Sequence, residues 1–155
     1  MQKTIALSAM MMLGASSMAA QDFAKGLNWA AEAGVGTELE LGLRAQYQFN
    51  QYLAWDVLHA KYAYDYNDYG DFSEFSLTTG LRGFSPTFGP NLKAFAAIDL
   101  GYGVMFDSDY HTNCFAMDFT TGLYVWKGLY MGYGLGLLHN HGNHKDHLFR
   151  IGYEF

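Results

Sequence analysis

The chain has 155 residues, with 9 Lys and Arg against 15 Asp and Glu, and a formal net charge of −6 at pH 7. Nucleic-acid binding needs clustered Lys and Arg, and this acidic chain has no such cluster. Aromatic residues make up 17 % of the chain and charged residues 15 %, which excludes a disordered protein, and the single cysteine, Cys114, excludes a disulfide framework.

The first twenty residues have the pattern of a secretory signal peptide. Lys3 supplies the positive start, residues 5–13 form a short apolar stretch, and Ser17, Ala19 and Ala20 are the small residues that a signal peptidase needs. The apolar stretch is shorter than the ~20 residues that a transmembrane helix needs. We therefore expect cleavage after residues 1–20 and one domain over residues 21–155. An N-terminal anchor or a core helix is the alternative.

After this segment, apolar residues alternate with polar or small residues, which predicts β-strands. In chain order, the eight predicted strands span residues 28–36, 39–49, 52–64, 75–83, 92–104, 115–125, 129–137 and 149–155. The second strand alternates over its whole length, which matches the ~9–11 residues of a bilayer-crossing strand and exceeds the ~5–6 usual in soluble proteins. In the third strand the alternation slips, so the faces of His59 and Lys61 stay open.

The predicted connections alternate between short turns and long loops. The short turns are residues 50–51, 85–90 and 127–128. The long loops are residues 65–74, 106–114 and 139–147, whereas the link near residues 37–38 is short. Short turns on one rim and long loops on the other are typical of outer-membrane barrels, in which the loops are extracellular.

The polar face of the predicted strands carries charged residues together with many glycines, which suits a narrow barrel interior. The charged residues that we assign to this interior are Glu32, Glu40, Arg44, Asp56, Arg82, Lys93, Asp99, Asp118, Arg150 and Glu154. Aromatic residues fringe the opposite face, and in lipid the sheet must close to pair its backbone groups. The sequence therefore predicts an all-β, eight-stranded, antiparallel up-and-down transmembrane β-barrel. A soluble sandwich or a lipocalin-like barrel is the alternative.

The last strand reads FRIGYEF, with Phe149, Ile151, Tyr153 and Phe155 on one face. Together with YQFNQYLA at residues 47–54, it resembles the small eight-stranded outer-membrane barrels of the OmpA transmembrane-domain and OmpX type. The resemblance implies a Gram-negative outer membrane, contact with lipid and lipopolysaccharide, and recognition of those four residues by the barrel-assembly machinery. Members of this family differ in function, so the fold leaves the function open.

Two polar segments are candidates for binding metal ions. His139, His141, His144 and His147 lie within nine residues, and imidazole is a common ligand of zinc, copper and nickel. The acidic segment at residues 65–74 offers hard oxygen ligands that suit calcium, although its spacing does not match an EF-hand. For both segments the alternative interpretation is a solvated polar loop.

The resemblance also raises an esterase, since some barrels of this type are lipid A deacylases with a neighbouring Ser and His near the C-terminus. Here His141 stands two residues after His139, and no Ser follows Ser108, so the chain offers no local Ser–His pair. We expect a monomeric barrel without enzymatic activity or cofactor, and a structural or surface-interaction role: envelope integrity, recognition or adhesion to a surface ligand. The alternative is small-ion or metal handling by residues 139–147 or by the polar lumen.

Overall fold

The computed structural model describes residues 25–65, 72–88, 92–106, 111–139 and 143–155. Its strands are β1 (Gly26–Gly36), β2 (Glu38–Asn50), β3 (Leu53–Asp65), β4 (Phe72–Phe84), β5 (Lys93–Phe106), β6 (His111–Trp126), β7 (Leu129–His139) and β8 (Asn143–Glu154). The predicted signal peptide lies outside the described residues. Within those residues, no helix is long and apolar enough to cross a membrane.

The eight strands form one closed barrel in which each strand pairs with its neighbours in chain order. Closure comes from antiparallel pairing of β1 with β8, in a register that runs from Ala30 opposite Glu154 to Gly36 opposite Leu148. The prediction of a closed, eight-stranded antiparallel up-and-down barrel is therefore confirmed. The start of β1 at Gly26 and the end of β8 at Glu154 lie at the rim that carries the short turns, which we call the turn end, and the opposite rim is the loop end.

The alternation of side chains along each strand separates a polar interior from an apolar exterior. In β2, Glu40 and Arg44 are buried inside the barrel, whereas Leu41 and Leu43 lie exposed on the outside. The same outward position is taken by Leu77, Ile98, Leu100, Phe119, Leu123, Met131 and Ile151. The barrel thus reverses the arrangement of a soluble protein, with its charges inside and its large apolar side chains outside.

The strands extend further toward the loop end than the alternation predicted. The structure starts β6 at His111, ends β5 at Phe106 and starts β8 at Asn143. The predicted loops at 106–114 and 139–147 were therefore too long, because much of each segment belongs to a strand. At these strand ends polar residues occupy successive positions, as in HTN and NHKDH, so the apolar alternation stops there. The backbone pairing continues beyond that point.

A β-bulge in β3 explains the slip in the alternation. Val57 and Leu58 together stand opposite Thr79 of β4, so β3 contains one extra residue at this point. The extra residue shifts by one position which residues face the interior. Asp56 and His59 therefore both face the interior although they are three positions apart. The hydroxyl of Thr79 donates a hydrogen bond of 2.8 Å to the carbonyl oxygen of Asp56, within the bulge.

Replacing Thr79 should weaken the barrel through this bulge. The Thr79 hydroxyl also accepts a hydrogen bond of 2.9 Å from Nε1 of Trp55, so Thr79→Val leaves both a donor and an acceptor without their partner. We expect Thr79→Val to lower the free energy of unfolding by about 1–3 kcal/mol. Urea titration of the refolded protein in detergent micelles, followed by tryptophan fluorescence, measures the change. Thr79→Ser retains the hydroxyl and is the control, and equal stability of both variants would contradict this role.

Candidate functional site in the barrel interior

The structure buries all ten charged residues that the sequence assigned to the interior, each with at most 4 % of its surface exposed. They are Glu32, Glu40, Arg44, Asp56, Arg82, Lys93, Asp99, Asp118, Arg150 and Glu154. Five further buried residues with titratable side chains were not assigned to the interior from the sequence: Glu38, His59, Lys61, Glu74 and Asp146. The slip in the alternation of β3 was the signal for His59 and Lys61. Glu38 and Glu74 each lie one residue before the predicted start of their strand and continue its alternation, so extending the strand by one residue would have found them. Asp146 lies in the polar start of β8, where the sequence shows no alternation.

Arg44 and Glu32 form the centre of the first ion-pair group. Arg44 donates hydrogen bonds to Oε2 of Glu32 at 3.2 Å and to the hydroxyl of Tyr130 at 2.8 Å. The Tyr130 hydroxyl donates in turn to the same Glu32 oxygen at 2.6 Å. Nε2 of His59 lies 2.5 Å from the other oxygen of Glu32. Four strands are therefore tied together across the lumen by one carboxylate.

Aromatic rings fill the turn end of the interior. Phe84, Phe95, Tyr124 and Tyr130 are buried as one cluster, and the contacts among their rings have centroid separations of 5.2–5.9 Å. Arg82 lies over the Phe95 ring at 4.7 Å and pairs with Asp56 at 3.1 Å. This packing occupies the cross-section of the lumen near the short turns, as expected when eight strands leave room only for side chains.

The second ion-pair group lies nearer the loop end and centres on Arg150. Its guanidinium donates to both oxygens of Glu40, at 2.7 and 2.9 Å, and to both oxygens of Asp118, at 2.7 and 2.6 Å. Nζ of Lys61 donates to Asp118 at 2.5 Å and lies 3.6 Å from Glu40. Two cations and two carboxylates therefore balance each other, and Lys61 can take part because the β3 bulge directs it inward.

Three carboxylates from different strands meet above this group, at the loop end of the interior. Glu38 of β2, Glu74 of β4 and Asp146 of β8 each offer an oxygen atom within 4.8 Å of the others, and all three are buried. Beside them is a cavity of about 10 Å³. Among the described residues, this is the arrangement of side chains that could hold a metal ion.

The predicted histidine ligands are not brought together where the structure describes them. His139 and His147 are both exposed, and His147 stands opposite Leu135, four residues before His139 on β7. At ~3.3 Å per residue this separates them by roughly 13 Å along the strand. The Tyr133 hydroxyl contacts Nδ1 of His147. His141 and the side chain of His144 lie outside the described part of the chain.

The predicted assembly signal lies on β8 and at the residue that follows it, and its residues alternate with the inward Arg150, Gly152 and Glu154. Phe149 and Ile151 are exposed, whereas Tyr153 and Phe155 are half-buried. Their recognition by the assembly machinery stays a prediction.

The acidic segment at residues 65–74 is divided: residues 66–71 lie outside the described part, and Glu74 belongs to β4 with its side chain in the interior.

Comparison with known proteins identifies the fold. No protein-family model matches the chain, and no curated protein matches it by sequence. The N-terminal β-barrel domain of Pseudomonas aeruginosa OprF aligns with a TM-score of 0.55 and 15 % identity, over 83 % of this chain and 96 % of that one. Neisserial surface protein A aligns with a TM-score of 0.55 and 14 % identity, over 83 % and 92 %. The outer membrane enzyme PagL aligns with a TM-score of 0.55 and 15 % identity, over 83 % and 98 %.

These structures share the fold of small eight-stranded outer-membrane barrels, and they include both an enzyme and a surface protein. The low identities therefore carry no activity over to this chain. The lack of a local Ser–His pair distinguishes the sequence from the deacylase pattern considered above, and the absence of enzymatic activity stays a prediction.

Replacing Arg150 should strongly destabilise the barrel. Arg150→Met leaves Glu40 and Asp118 buried with Lys61 as their nearby cation, and removal of one partner from a buried ion pair costs about 3–5 kcal/mol. Urea unfolding in detergent micelles measures the loss. Lys127→Met removes an exposed cation at the β6–β7 turn and is expected to change stability by less than about 0.5 kcal/mol. Equal stability of the two variants would mean that the Arg150 contacts do not support the fold.

Proposed function

We propose that this protein is an integral outer-membrane barrel with a structural or surface-interaction role in the envelope of a Gram-negative bacterium. The observation that carries the proposal is the outer face of the closed barrel. Its described strands expose a continuous band of large apolar side chains, whereas soluble monomers rarely expose contiguous apolar patches larger than a few hundred Å². Lipid is the solvent that suits such a surface.

Aromatic residues on both rims support the membrane location. Toward the turn end the exposed aromatic side chains are Trp29, Tyr47, Phe49, Tyr52, Trp55 and Trp126. Toward the loop end they are Tyr62, Phe75, Tyr102 and Phe115. Leu, Ile and Phe lie between these two groups. Aromatic girdles that flank an apolar band are typical of membrane barrels, because such rings suit the water–lipid interface.

A structural role is supported by the way in which the interior is built. The ion pairs of Arg44 and Arg150 and the aromatic cluster of the turn end link strands across the lumen, which makes the barrel a rigid support. A rigid barrel holds the ends of the connecting segments at its loop end in fixed positions. Fixed ends lower the entropy that those segments lose when they bind a surface ligand.

Conduction of small ions through the lumen is the alternative that the sequence left open. The packing at the turn end opposes it, because Phe95, Tyr130 and the Arg82–Asp56 pair occupy the lumen there. The carboxylates at the loop end favour a different form of ion handling, in which a cation is held and not conducted.

Substitution of an outward residue tests the membrane location. Phe119 lies midway along β6 and is 50 % exposed, whereas Tyr52 lies in the β2–β3 turn and is 49 % exposed. An arginine at the bilayer midplane costs about 2–4 kcal/mol and one near the interface about 0–1 kcal/mol. Phe119→Arg should therefore reduce folding into phosphatidylcholine vesicles far more than Tyr52→Arg. The folded fraction at each urea concentration is read from the heat-modifiable band on unboiled gels.

Wild-type protein should remain in the membrane after a carbonate wash and migrate faster when unboiled, as a closed barrel does. A carbonate-soluble protein in which Phe119→Arg folds as well as Tyr52→Arg would contradict the membrane location.

Complementation separates a structural role from a surface-interaction role. We expect deletion of the gene in its host to increase sensitivity to detergent, and the wild-type gene to restore resistance. A variant with residues 66–71 and 107–110 replaced by Gly-Ser segments of equal length keeps every described strand. Restoration by this variant would support a role of the barrel itself, and failure despite normal heat-modifiability would assign the role to the surface segments. Unchanged sensitivity of the deletion strain would contradict a role in envelope integrity.

A further inference from the structure

We infer that the loop end of the barrel interior contains a binding site for one divalent cation of the size of calcium, formed by Glu38, Glu74 and Asp146. The inference concerns the inside of the barrel and goes beyond the proposed envelope role. It also differs from the histidine site that the sequence suggested, because its ligands are carboxylates that three strands bring together.

The geometry of the three carboxylates suits calcium. Glu38, Glu74 and Asp146 each contribute an oxygen atom to a group in which all separations are within 4.8 Å. Calcium binds oxygen at 2.3–2.6 Å, so two ligands on opposite sides of the ion are up to about 5 Å apart. Magnesium binds oxygen at 2.0–2.1 Å and would draw opposite ligands to about 4.2 Å. All separations are therefore within the reach of calcium, whose flexible coordination tolerates ligands that three strands hold in place, whereas magnesium demands near-ideal octahedral geometry.

A second observation points independently to a ligand. Only 6 % of the surface of Glu74 is exposed, and its Oε2 atom has no hydrogen-bond partner among the described residues. This residue lines the cavity of about 10 Å³, which is the size of one water molecule or one ion. A carboxylate is costly to bury without a partner, and a cation in the cavity would supply one.

The residues around the cavity leave space for an ion. Ala63 and Ala116 line the cavity together with Gly136, whose missing side chain leaves room beside Asp146. A Cβ atom placed on Gly136 would lie 3.4 Å from Oδ2 of Asp146. Three of the lining residues are thus small, and the larger lining residue Leu138 is buried beside them.

Lys61 also lines the cavity, but it is engaged below the site. Its Nζ atom lies 2.5 Å from Asp118 and 3.6 Å from Glu40, inside the balanced group that Arg150 completes. Over the described residues, the buried set contains nine carboxylates against five Lys and Arg and the single histidine His59. The interior is therefore negative even when His59 is protonated, and a divalent cation would reduce this excess.

The number of ligands predicts a site of modest affinity. Calcium takes 6–8 oxygen ligands, so three carboxylates leave positions for water, and extracellular calcium modules bind with a Kd of about 10⁻⁴–10⁻³ M. We expect a Kd in this range for the full chain refolded in detergent micelles and stripped with a chelator. Isothermal titration with CaCl2 should show one ion per chain, and MgCl2 should bind about tenfold or more weakly because its octahedral geometry is stricter.

Isosteric variants test the assignment of the ligands. Glu38→Gln, Glu74→Gln and Asp146→Asn each remove one charged ligand and should weaken calcium binding by about tenfold or more. Glu154→Gln is the matched control, since Glu154 is a buried carboxylate at the turn end that accepts a hydrogen bond of 2.7 Å from Tyr124. The control should bind calcium as the wild type does. Calcium should also raise the urea midpoint of the wild type and of Glu154→Gln but not that of the ligand variants.

Three results would overturn the inference. The first is the absence of saturable calcium binding by the wild type up to about 10 mM, a concentration well above the expected Kd. The second is undiminished affinity in the ligand variants, which would place the ion elsewhere. The third is an equal rise in the urea midpoint of all variants, including Glu74→Gln. If one ligand variant fails to refold, the other two and the titration of the wild type still test the calcium site. The Phe119→Arg experiment tests the membrane location independently of calcium binding.

Discussion

The narrow interior of an eight-stranded barrel is the constraint on which the rest of this structure depends. Eight strands leave space only for side chains, so every large inward residue needs a small one opposite it. The guanidinium of Arg150 reaches Glu40 and Asp118 because position 134 is glycine, where a Cβ atom would lie 2.6 Å from Cζ of Arg150. The Tyr130 ring likewise lies over Gly152, where a Cβ atom would overlap it. The glycines of the polar face therefore determine where the ion pairs form.

The bulge in β3 connects this interior to the outer surface. Without the extra residue at Val57 and Leu58, the side chains of His59 and Lys61 would point outward. Glu32 would then lose its contact with His59, and Asp118 its ion pair with Lys61. Because a buried carboxylate without a partner is costly, a single register shift determines whether two ion-pair groups are complete. The outward Thr79 hydroxyl supports the same bulge from the outer face of the barrel.

The middle of each strand could be predicted from the sequence, because there one face meets apolar surroundings and the other meets the polar lumen. Leu41 and Arg44 show this contrast, and all ten interior charges assigned on this basis are buried. At the loop-end starts of β6 and β8 both faces become polar, so the alternation stops although the backbone pairing continues. The convergence of Glu38, Glu74 and Asp146 depends on the closure of the barrel, because closure brings β8 beside β1 and β2, and no local sequence pattern contains that information. The composition of residues 139–147 suggested histidine ligands instead, but the pairing of β7 with β8 places His147 opposite Leu135, roughly 13 Å along the strand from His139.

The two ends of the lumen differ in a way that determines how the interior can exchange ions with its surroundings. The turn end is filled by the cluster of Phe84, Phe95, Tyr124 and Tyr130, and the ion-pair group of Arg150 lies between this cluster and the loop end. A cation that enters from the loop end would meet the three carboxylates first, and below them the balanced group in which Glu40 and Asp118 are already paired with Arg150 and Lys61. The proposed site would therefore hold a cation at the loop end, above a lumen whose turn end is filled by side chains.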